Sequence, residues 1–207
     1  MKITYLAKLG ELTLKGSNIN AFESKLVRNV RDFLKHIPVD IILRAGRMYI
    51  DVEEENCREV EFCLSHLIGI TGWAKTTICE KNIASITATV TELGKIAKEA
   101  GARTFKIDAR RSDKSFELDS YAIMRQAASG LYDNKILDVD LHNPDVTIWV
   151  EVREKCFVYT DSKTGCRGLP VGMSGKGLLL LSGGLDSPVA GYRMLRRGMK
   201  IECCYFH

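Results

Sequence analysis

The chain has 207 residues, and its 30 lysines and arginines against 26 acidic residues give a formal net charge of +4. A hydrophobic fraction of 45% is enough to build buried cores, which indicates a globular protein of one large or two smaller domains. No apolar stretch approaches transmembrane length and no signal peptide begins the chain, so we expect a soluble, cytoplasmic protein with no membrane partner.

The seven cysteines form no C-x-x-C pair and show no histidine spacing of the zinc type, so we expect reduced thiols.

The charges are distributed unevenly along the chain. The net charge is +1 over residues 1–56, zero over residues 57–167 and +3 over residues 168–207. A nucleic-acid site would therefore need cations gathered on one face, because the total charge is modest.

Residues 1–56 predict a small α+β unit. Its expected elements are a strand at 3–9, a helix at 21–36, and strands at 39–44 and 47–52 that turn at Gly46. Apolar side chains at spacings of three and four predict a core stripe on the helix, formed by Phe22, Leu26, Val30, Phe33 and Ile37. Arg28 belongs to a basic flank of the same helix, which is either a solvated face or a contact for phosphate.

Residues 57–167 predict a second unit of the α/β class. Its expected elements are helices at 57–67, 83–100 and 120–132, and strands at 73–79, 104–109, 146–153 and 156–161. Hydrophobic runs of both the helical and the strand period alternate along this stretch, which indicates sheet and helix layers around one core.

A cluster of cations lies at the end of one predicted strand in this second unit. Arg110, Arg111 and Lys114 directly follow the strand at 104–109, where a loop can present charges to a ligand. Lys106 lies on the strand and points away from the core. The cations either contact RNA phosphates or form local ion pairs with the acidic residues among them.

A glycine-rich linker at 168–177 precedes the last predicted unit. There a strand at 178–181, a helix at 188–197 and a strand at about 200–206 predict the parallel βαβ arrangement of a nucleotide-binding sheet. Two strands and one helix cannot form a buried sheet with both faces covered, so we expect the unit to be incomplete. Its free sheet edges would allow a homodimer.

The loop of this unit, Ser182-Gly183-Gly184-Leu185-Asp186-Ser187, predicts a pyrophosphate site. Gly183 and Gly184 permit close backbone approach, and free N–H groups at the helix start attract an anion. Ser187 is the expected N-cap, with Pro188 in the first turn. The alternative is an ordinary strand-to-helix turn, and the Walker pattern is absent.

Further contacts follow if the ligand is a nucleotide. Asp186 beside a pyrophosphate indicates a Mg2+ ion that bridges carboxylate or water to phosphate oxygens. Ligands of parallel sheets bind at the carboxyl ends of the strands. The residues at these ends, which we expect to hold adenine and ribose, are Leu180, Leu181, Tyr205 and Phe206.

Three motifs together resemble one enzyme family. Ser182 to Ser187 resembles the PP-loop of ATP pyrophosphatases, and the longer string SGGLDSPVAGYRMLRRG is similar to that of the tRNA 4-thiouridine synthetase, or tRNA sulfurtransferase, family. The strings at 10–16 and 105–114 carry the same resemblance in the family's order. The resemblance implies a ferredoxin-like domain at 1–56, a THUMP RNA-binding domain at 57–167, a linker at 168–177 and the start of a PP-loop domain at 178–207.

The resemblance also implies an activity and its partners. ATP would adenylylate O4 of a tRNA uridine, and sulfur from a persulfide donor such as a cysteine desulfurase would replace it to give 4-thiouridine. Lys15 becomes a candidate RNA contact beside its role in a helix-capping turn. The family's catalytic cysteine lies beyond the position of His207, so no residue here receives a catalytic role, and we expect this chain to bind tRNA without complete catalysis. Another PP-loop RNA-modifying ATPase and a non-catalytic RNA-binding fragment are the alternatives, and a role in thiamine biosynthesis is left open.

Overall fold

The computed structural model describes residues 1–10 and 18–206. The chain divides into two compact units, one formed by Met1–Trp73 together with the segment from Lys163 onward, and the other by Ala74–Ser162. Among the described residues, no helix is long and apolar enough to cross a membrane. The secondary-structure elements in chain order are β1 (Lys2–Lys8), α1 (Ile19–Phe33), β2 (Val39–Arg44), β3 (Arg47–Glu53), α2 (Cys57–His66), β4 (Gly72–Cys79), α3 (Ile83–Glu99), β5 (Thr104–Arg111), α4 (Ser120–Tyr132), β6 (Asp138–Val139), β7 (Val146–Val152), β8 (Cys156–Tyr159), β9 (Lys163–Thr164), β10 (Lys176–Leu181), α5 (Asp186–Arg196) and β11 (Lys200–Tyr205).

The first unit contains an antiparallel arrangement in the order β2–β3–β1, with the start of β4 beside β1. Strands β2 and β3 turn at Ala45 and Gly46, which both have positive φ, 47° and 71°. Two positive φ values give the tight turn that matches the twist of paired strands. The predicted turn at Gly46 is confirmed.

Helices α1 and α2 complete the first core. Leu26 and Val30 of α1 are fully buried, but Phe33, predicted for the same stripe, is 44% exposed and Leu34 is buried instead. The helix ends at Phe33, before the predicted end at 36, but Phe22 and Ile37 pack against the first core as the predicted stripe requires. Apolar residues of α2 join this same core, although the sequence analysis grouped that helix with residues 57–167. They are Val60, Cys63 and Leu64.

The second unit has a mixed sheet in the order β4–β8–β7–β5–β6, in which β5 runs parallel to β6 and β7. Side chains of α3 and α4 pack on one face of this sheet and form the second core, with Ile86, Val90, Ile123, Ala127 and Leu131 from the helices. Asn82 and Asp119 cap the two helices by accepting from Ser85 N at 2.8 Å and Ala122 N at 2.7 Å. Such caps satisfy N–H groups that the helix itself leaves unpaired.

The last elements form the predicted βαβ arrangement. Strands β10 and β11 are parallel, from the pair Lys176 and Lys200 to the pair Leu181 and Tyr205, and α5 connects them. Strand β10 begins two residues before the predicted start at 178. One face of this two-stranded sheet is open, because Leu178 and Leu180 are 67% and 58% exposed.

The segment predicted as an irregular linker at 168–177 is held by backbone hydrogen bonds. Leu169 N donates to Arg196 O at 2.9 Å, and the amides of Gly172 and Ser174 both donate to Gly198 O, at 2.8 and 3.0 Å. On its other side, Asn29 Nδ2 donates to Val171 O at 3.1 Å, and Leu169 packs against the first core. The segment therefore fastens the end of α5 to α1.

Candidate nucleotide and RNA sites

The loop from Ser182 to Leu185 connects the carboxyl end of β10 to the start of α5. The helix begins at Asp186, two residues before the predicted start, and Leu185 occupies the N-cap position without a side-chain cap. The prediction that Ser187 caps the helix is wrong, because Ser187 lies in the first turn and its Oγ accepts from Ser182 N at 3.2 Å. Ser182 Oγ lies 3.3 Å from Ser187 Oγ and accepts from Gly184 N at 3.4 Å. The two serine side chains thus fix the loop.

Neither glycine of the loop is required by the protein's own backbone or packing. A Cβ built on Gly183 would meet no atom within 4 Å, and one on Gly184 would meet only Ser182 Oγ at 3.6 Å. Neither residue is among the glycines with positive φ. The absence of side chains keeps the loop backbone accessible, which is what close approach of a phosphate requires.

The loop also lies at the positive end of α5, a helix of 11 residues. Unpaired N–H groups and the helix dipole favour an anion at such an end. Asp186 supplies one exposed carboxylate in the first turn. In the described part of the chain, no three or more His, Cys, Asp or Glu side chains gather in a group that could hold a metal ion. A Mg2+ ion here would therefore take most of its oxygen ligands from a bound phosphate and water.

The residues predicted to hold adenine and ribose lie at the carboxyl ends of the two strands. Leu181 pairs with Tyr205 in the parallel ladder and Leu180 pairs with Cys204, while Phe206 follows directly. Tyr205 and Phe206 are 62% and 75% exposed, so both rings are available for contact. Strand β11 is not fully covered either, because Cys203 is exposed and Cys204 is half-buried.

The candidate RNA residues Lys106 and Arg110 lie on one face of β5. Residues 105, 107 and 109 are buried in the second core, so the alternating residues 106, 108 and 110 point to the opposite face. Lys106 is half-buried and Arg110 is exposed. Strand β5 extends to Arg111 because β7 continues to pair with it as far as Val152, so the prediction that Arg110 and Arg111 lie in a loop is wrong.

Arg111 makes hydrogen bonds to the segment that follows β5. Its Nη1 donates to Phe116 O at 3.1 Å, and its backbone N–H donates to Ser120 Oγ at 3.1 Å. Phe116 belongs to the second core. Arg111 therefore holds the 112–119 segment against the core, which a charge count along the sequence could not reveal.

The acidic residue Asp113 in the loop after β5 is paired with a lysine from another segment of the chain. Asp113 forms an ion pair with Lys81, and Ser115 donates to Asp113 Oδ1 from its backbone N at 2.9 Å and its Oγ at 2.7 Å. The hydrogen bond from Lys81 is the first cause that holds the pKa of Asp113 well below its usual range, followed by the bonds from Ser115. Asp113 thus pairs with a cation from before α3 rather than with Arg110. Lys114 is exposed in this loop.

The remaining sequence-predicted cations lie in the first unit. Arg28 is exposed on α1, where it lines a shallow cavity of about 530 Å³ together with Arg31, Glu23 and Asp32. Acidic and basic groups are therefore mixed around it. Lys15 lies outside the described residues.

A basic residue that the sequence analysis did not single out lies on α4. Arg125 is exposed and lines a shallow cavity of about 550 Å³ with Ile83, Thr87, Gln126 and Ser129. Residues of α3 and α4 come together here through helix packing, which no local motif encodes. In the sequence, Arg125 is marked only by its place on the polar flank of α4, opposite the buried residues of that helix.

Three family models match successive parts of the chain. The ThiI ferredoxin-like domain matches residues 4–74, the THUMP domain matches residues 80–161, and the thiamine biosynthesis protein (ThiI) matches residues 172–207. The fold and these matches define a THUMP-domain protein that also carries a ferredoxin-like domain and the glycine-rich loop described above.

Known proteins agree with this class. A probable tRNA sulfurtransferase from Treponema pallidum (strain Nichols) is 50% identical over 206 residues, covering 98% of this chain and 51% of the relative. A crystal structure of a 4-thiouridine synthetase–RNA complex with bound ATP has a TM-score of 0.83 at 34% identity, covering 100% of this chain and 53% of that chain. PH1313 from Pyrococcus horikoshii Ot3 has a TM-score of 0.87 at 28% identity, covering 98% and 68%.

The chain belongs to the ThiI family, whose similar curated members are named probable tRNA sulfurtransferases. It spans about half the length of the curated relatives that it matches.

Proposed function

We propose that this chain supplies the tRNA-binding part and the phosphate-binding loop of an ATP-dependent tRNA sulfurtransferase that makes 4-thiouridine. One observation carries the proposal: the whole chain is similar to a 4-thiouridine synthetase whose structure contains both RNA and ATP. The open Gly183-Gly184 loop at the positive end of α5 is the local feature that fits the ATP.

In the proposed reaction, O4 of a tRNA uridine attacks the α-phosphorus of ATP and pyrophosphate leaves. The outer sulfur of a persulfide, supplied by a donor such as a cysteine desulfurase, then attacks C4, and AMP leaves with the adenylylated oxygen. A second thiol attacks the S–S bond that results, so that 4-thiouridine is released and the two thiols remain as a disulfide. This chain contributes the unpaired backbone N–H groups at the start of α5, which stabilise the charge that develops on the departing pyrophosphate. The RNA-binding unit orients the tRNA, so that the reacting groups meet as if within one molecule.

The proposed ATP contacts divide by chemistry. Ser182, Gly183, Gly184 and Ser187 contact the phosphates, and Asp186 contacts Mg2+ through water. The adenine and ribose lie at the strand ends, against Leu180, Leu181, Tyr205 and Phe206. This division is supported by the order of these residues along one edge of the β10–β11 sheet.

The proposed tRNA contacts are cations of both units. In the second unit these are Lys106, Arg110 and Lys114, and in the first unit Arg28, with Lys15 retained from the sequence. Arg111 stabilises the strand end that presents Arg110 and is a weaker candidate for direct contact. A homodimer and a cytoplasmic location also remain part of the proposal.

The ATP site is tested by calorimetric titration of the chain with ATP, with and without Mg2+. We expect Gly183→Ala to weaken ATP binding without loss of thermal stability, because an added Cβ meets nothing in the free protein. Asp186→Asn should weaken the dependence on Mg2+. Met194→Ala, an exposed change on the same helix, is the control. Equal ATP affinity in Gly183→Ala and the wild type would contradict the phosphate loop.

The tRNA site is tested by fluorescence anisotropy of labelled tRNA over a series of salt concentrations. Removing the Arg110 contact should weaken binding and lower the log-log salt slope by about one. Lys95→Ala removes a cation from α3, on the helix side of the sheet, and is the matched control. Relative to the whole protein, we expect this chain to retain tRNA binding better than ATP binding, and the reverse result would contradict the proposed division of roles. Formation of 4-thiouridine by the whole protein without ATP consumption would exclude the reaction scheme.

A further inference from the structure

Two thiols lie directly opposite each other in the second unit. Cys79 is the last residue of β4 and Cys156 the first residue of β8, and the antiparallel register pairs them Cα to Cα. Both are free thiols, and their side chains are joined by a hydrogen bond. Neither residue belongs to the proposed ATP or tRNA contacts, so the pair has no part in the function proposed above.

The register brings the two residues within the range of a disulfide. Directly opposed residues of an antiparallel pair have Cα atoms about 4.5 or 5.5 Å apart, and disulfides span about 4.4 to 6.8 Å. Their Cβ atoms, at about 4.5 to 5.5 Å, lie slightly beyond the usual Cβ separation of a disulfide, at about 3.5 to 4.5 Å. Both residues are at strand ends, where a small movement disturbs few ladder hydrogen bonds. A bond formed here would carry some strain, and strained disulfides are readily reduced.

We propose that Cys79 and Cys156 form a reversible cross-strand disulfide when the protein meets a hydroperoxide. The Cys79 sulfur attacks the peroxide, the O–O bond breaks, and a sulfenic acid forms on Cys79 while water or an alcohol leaves. The Cys156 thiol then loses its proton and attacks the sulfenic sulfur, and the S–O bond breaks to release water. Two thiols lose two electrons in total, and the hydroperoxide gains them.

The surroundings assign the order of these two steps. Cys79 is half-buried and Cys156 is completely buried, so a peroxide reaches Cys79 first. The hydrogen bond from the Cys156 thiol lowers the pKa of Cys79, which favours the thiolate needed for the first attack. The same hydrogen bond, together with burial, raises the pKa of Cys156 and keeps that thiol protonated until the sulfenic acid forms.

The pair also lies close to the loop that follows β5. Lys81, two residues beyond Cys79, pairs with Asp113 of that loop, and its charge also acts on Cys156. A disulfide would therefore join the strand ends two residues before the lysine of this ion pair.

Peptide mapping tests the proposal directly. The folded chain is treated with hydrogen peroxide, the remaining thiols are alkylated in denaturant, and the protein is digested with trypsin. The two cysteines lie in separate tryptic peptides, Thr76–Lys81 and Cys156–Lys163, each with a single cysteine. We expect a linked species of these two peptides, with a mass lower by two hydrogens than their sum, which disappears after treatment with dithiothreitol.

Variants separate this pair from adventitious oxidation. Cys79→Ser and Cys156→Ser should each lose the linked species, and Cys166→Ser, which removes another half-buried thiol, should retain it. The mapping of the wild-type chain alone is decisive even if the buried Cys156→Ser change impairs folding. Full alkylation of Cys156 after peroxide treatment, or oxidation of Cys79 to a sulfinic acid without a linked peptide, would overturn the proposal.

Discussion

The carbonyl oxygen of Arg196 lies directly against Gly168. The amide of the next residue, Leu169, donates to this oxygen at 2.9 Å, and a Cβ built on Gly168 would collide with the carbonyl group. Gly168 also has a φ of +81°, a region that costs other residues about 1–3 kcal/mol. Two independent reasons therefore require glycine here.

We predict that Gly168→Ala lowers the free energy of unfolding by about 2 kcal/mol or more, the sum of strain and collision. Gly175→Ala is the matched control, because Gly175 has a similar φ of +84° but no atom within 4 Å of an added Cβ. Urea unfolding of both variants gives the difference. Equal losses would mean that the carbonyl contact contributes nothing.

Replacing Arg111 should lower the free energy of unfolding more than replacing Arg110. We predict that Arg111→Ala costs about 1 kcal/mol, because the hydrogen bond to Phe116 O is lost. Arg110→Ala should change stability by less than about 0.5 kcal/mol, since the side chain is exposed. Chemical denaturation measures both. A larger loss in Arg110→Ala would show that the two roles are reversed.

Asp145 should make stability depend on acid pH. Its carboxylate accepts from the backbone N–H of Arg103 at 2.8 Å and of Thr104 at 3.0 Å, and these bonds lower its pKa in the folded state. The stabilisation is fully present above the unfolded pKa of about 3.9 and is lost as pH falls through the lower folded value.

We therefore expect Asp145→Asn to be less stable than the wild type at neutral pH, with the difference narrowing as the solution is acidified below the folded pKa. Urea unfolding at a series of pH values checks this. Asp133→Asn, at an exposed position just beyond α4, is the control. A difference that is independent of pH would contradict the role of the charged carboxylate.

Cys63 should be chemically inert in the folded protein. It is 2% exposed, and burial raises the pKa of its thiol to about 12. At about pH 8.5, the ordinary pKa of a thiol, we expect iodoacetamide to label exposed Cys203 and leave Cys63 unmodified. Peptide mapping after timed labelling measures the two rates. Comparable rates would mean that the first core opens readily.

Much of the architecture could be predicted from local pattern. Helix α4 at 120–132 and strand β2 at 39–44 have their predicted bounds, because strong periodicity and flanking turn residues coincide there. The two-residue strands β6 and β9 escaped prediction, since two residues carry no period. Helix α2 was assigned to the wrong unit, because its apolar residues show that one face is buried but do not show in which core.

The position of the candidate phosphate loop could be predicted from the sequence, but the hydrogen bonds within it could not. The sequence Ser182 to Ser187 marks the loop, but whether Ser187 caps the helix or accepts from Ser182 N depends on where the helix starts. The pairing of Asp113 with Lys81 and the opposition of Cys79 and Cys156 depend on strand register between distant segments. Such long-range geometry is fixed by packing of the whole sheet rather than by neighbouring residues.

The fastened segment between Gly168 and Ser174 also limits how the nucleotide loop can move. Its hydrogen bonds to Arg196 and Gly198, and the bond from Asn29, leave little freedom for a hinge at this point. A displacement of α5 would therefore move α1 as well, because the same segment is hydrogen-bonded to both helices. Arg28 lies on α1 next to Asn29, so any such displacement would also move this proposed RNA contact.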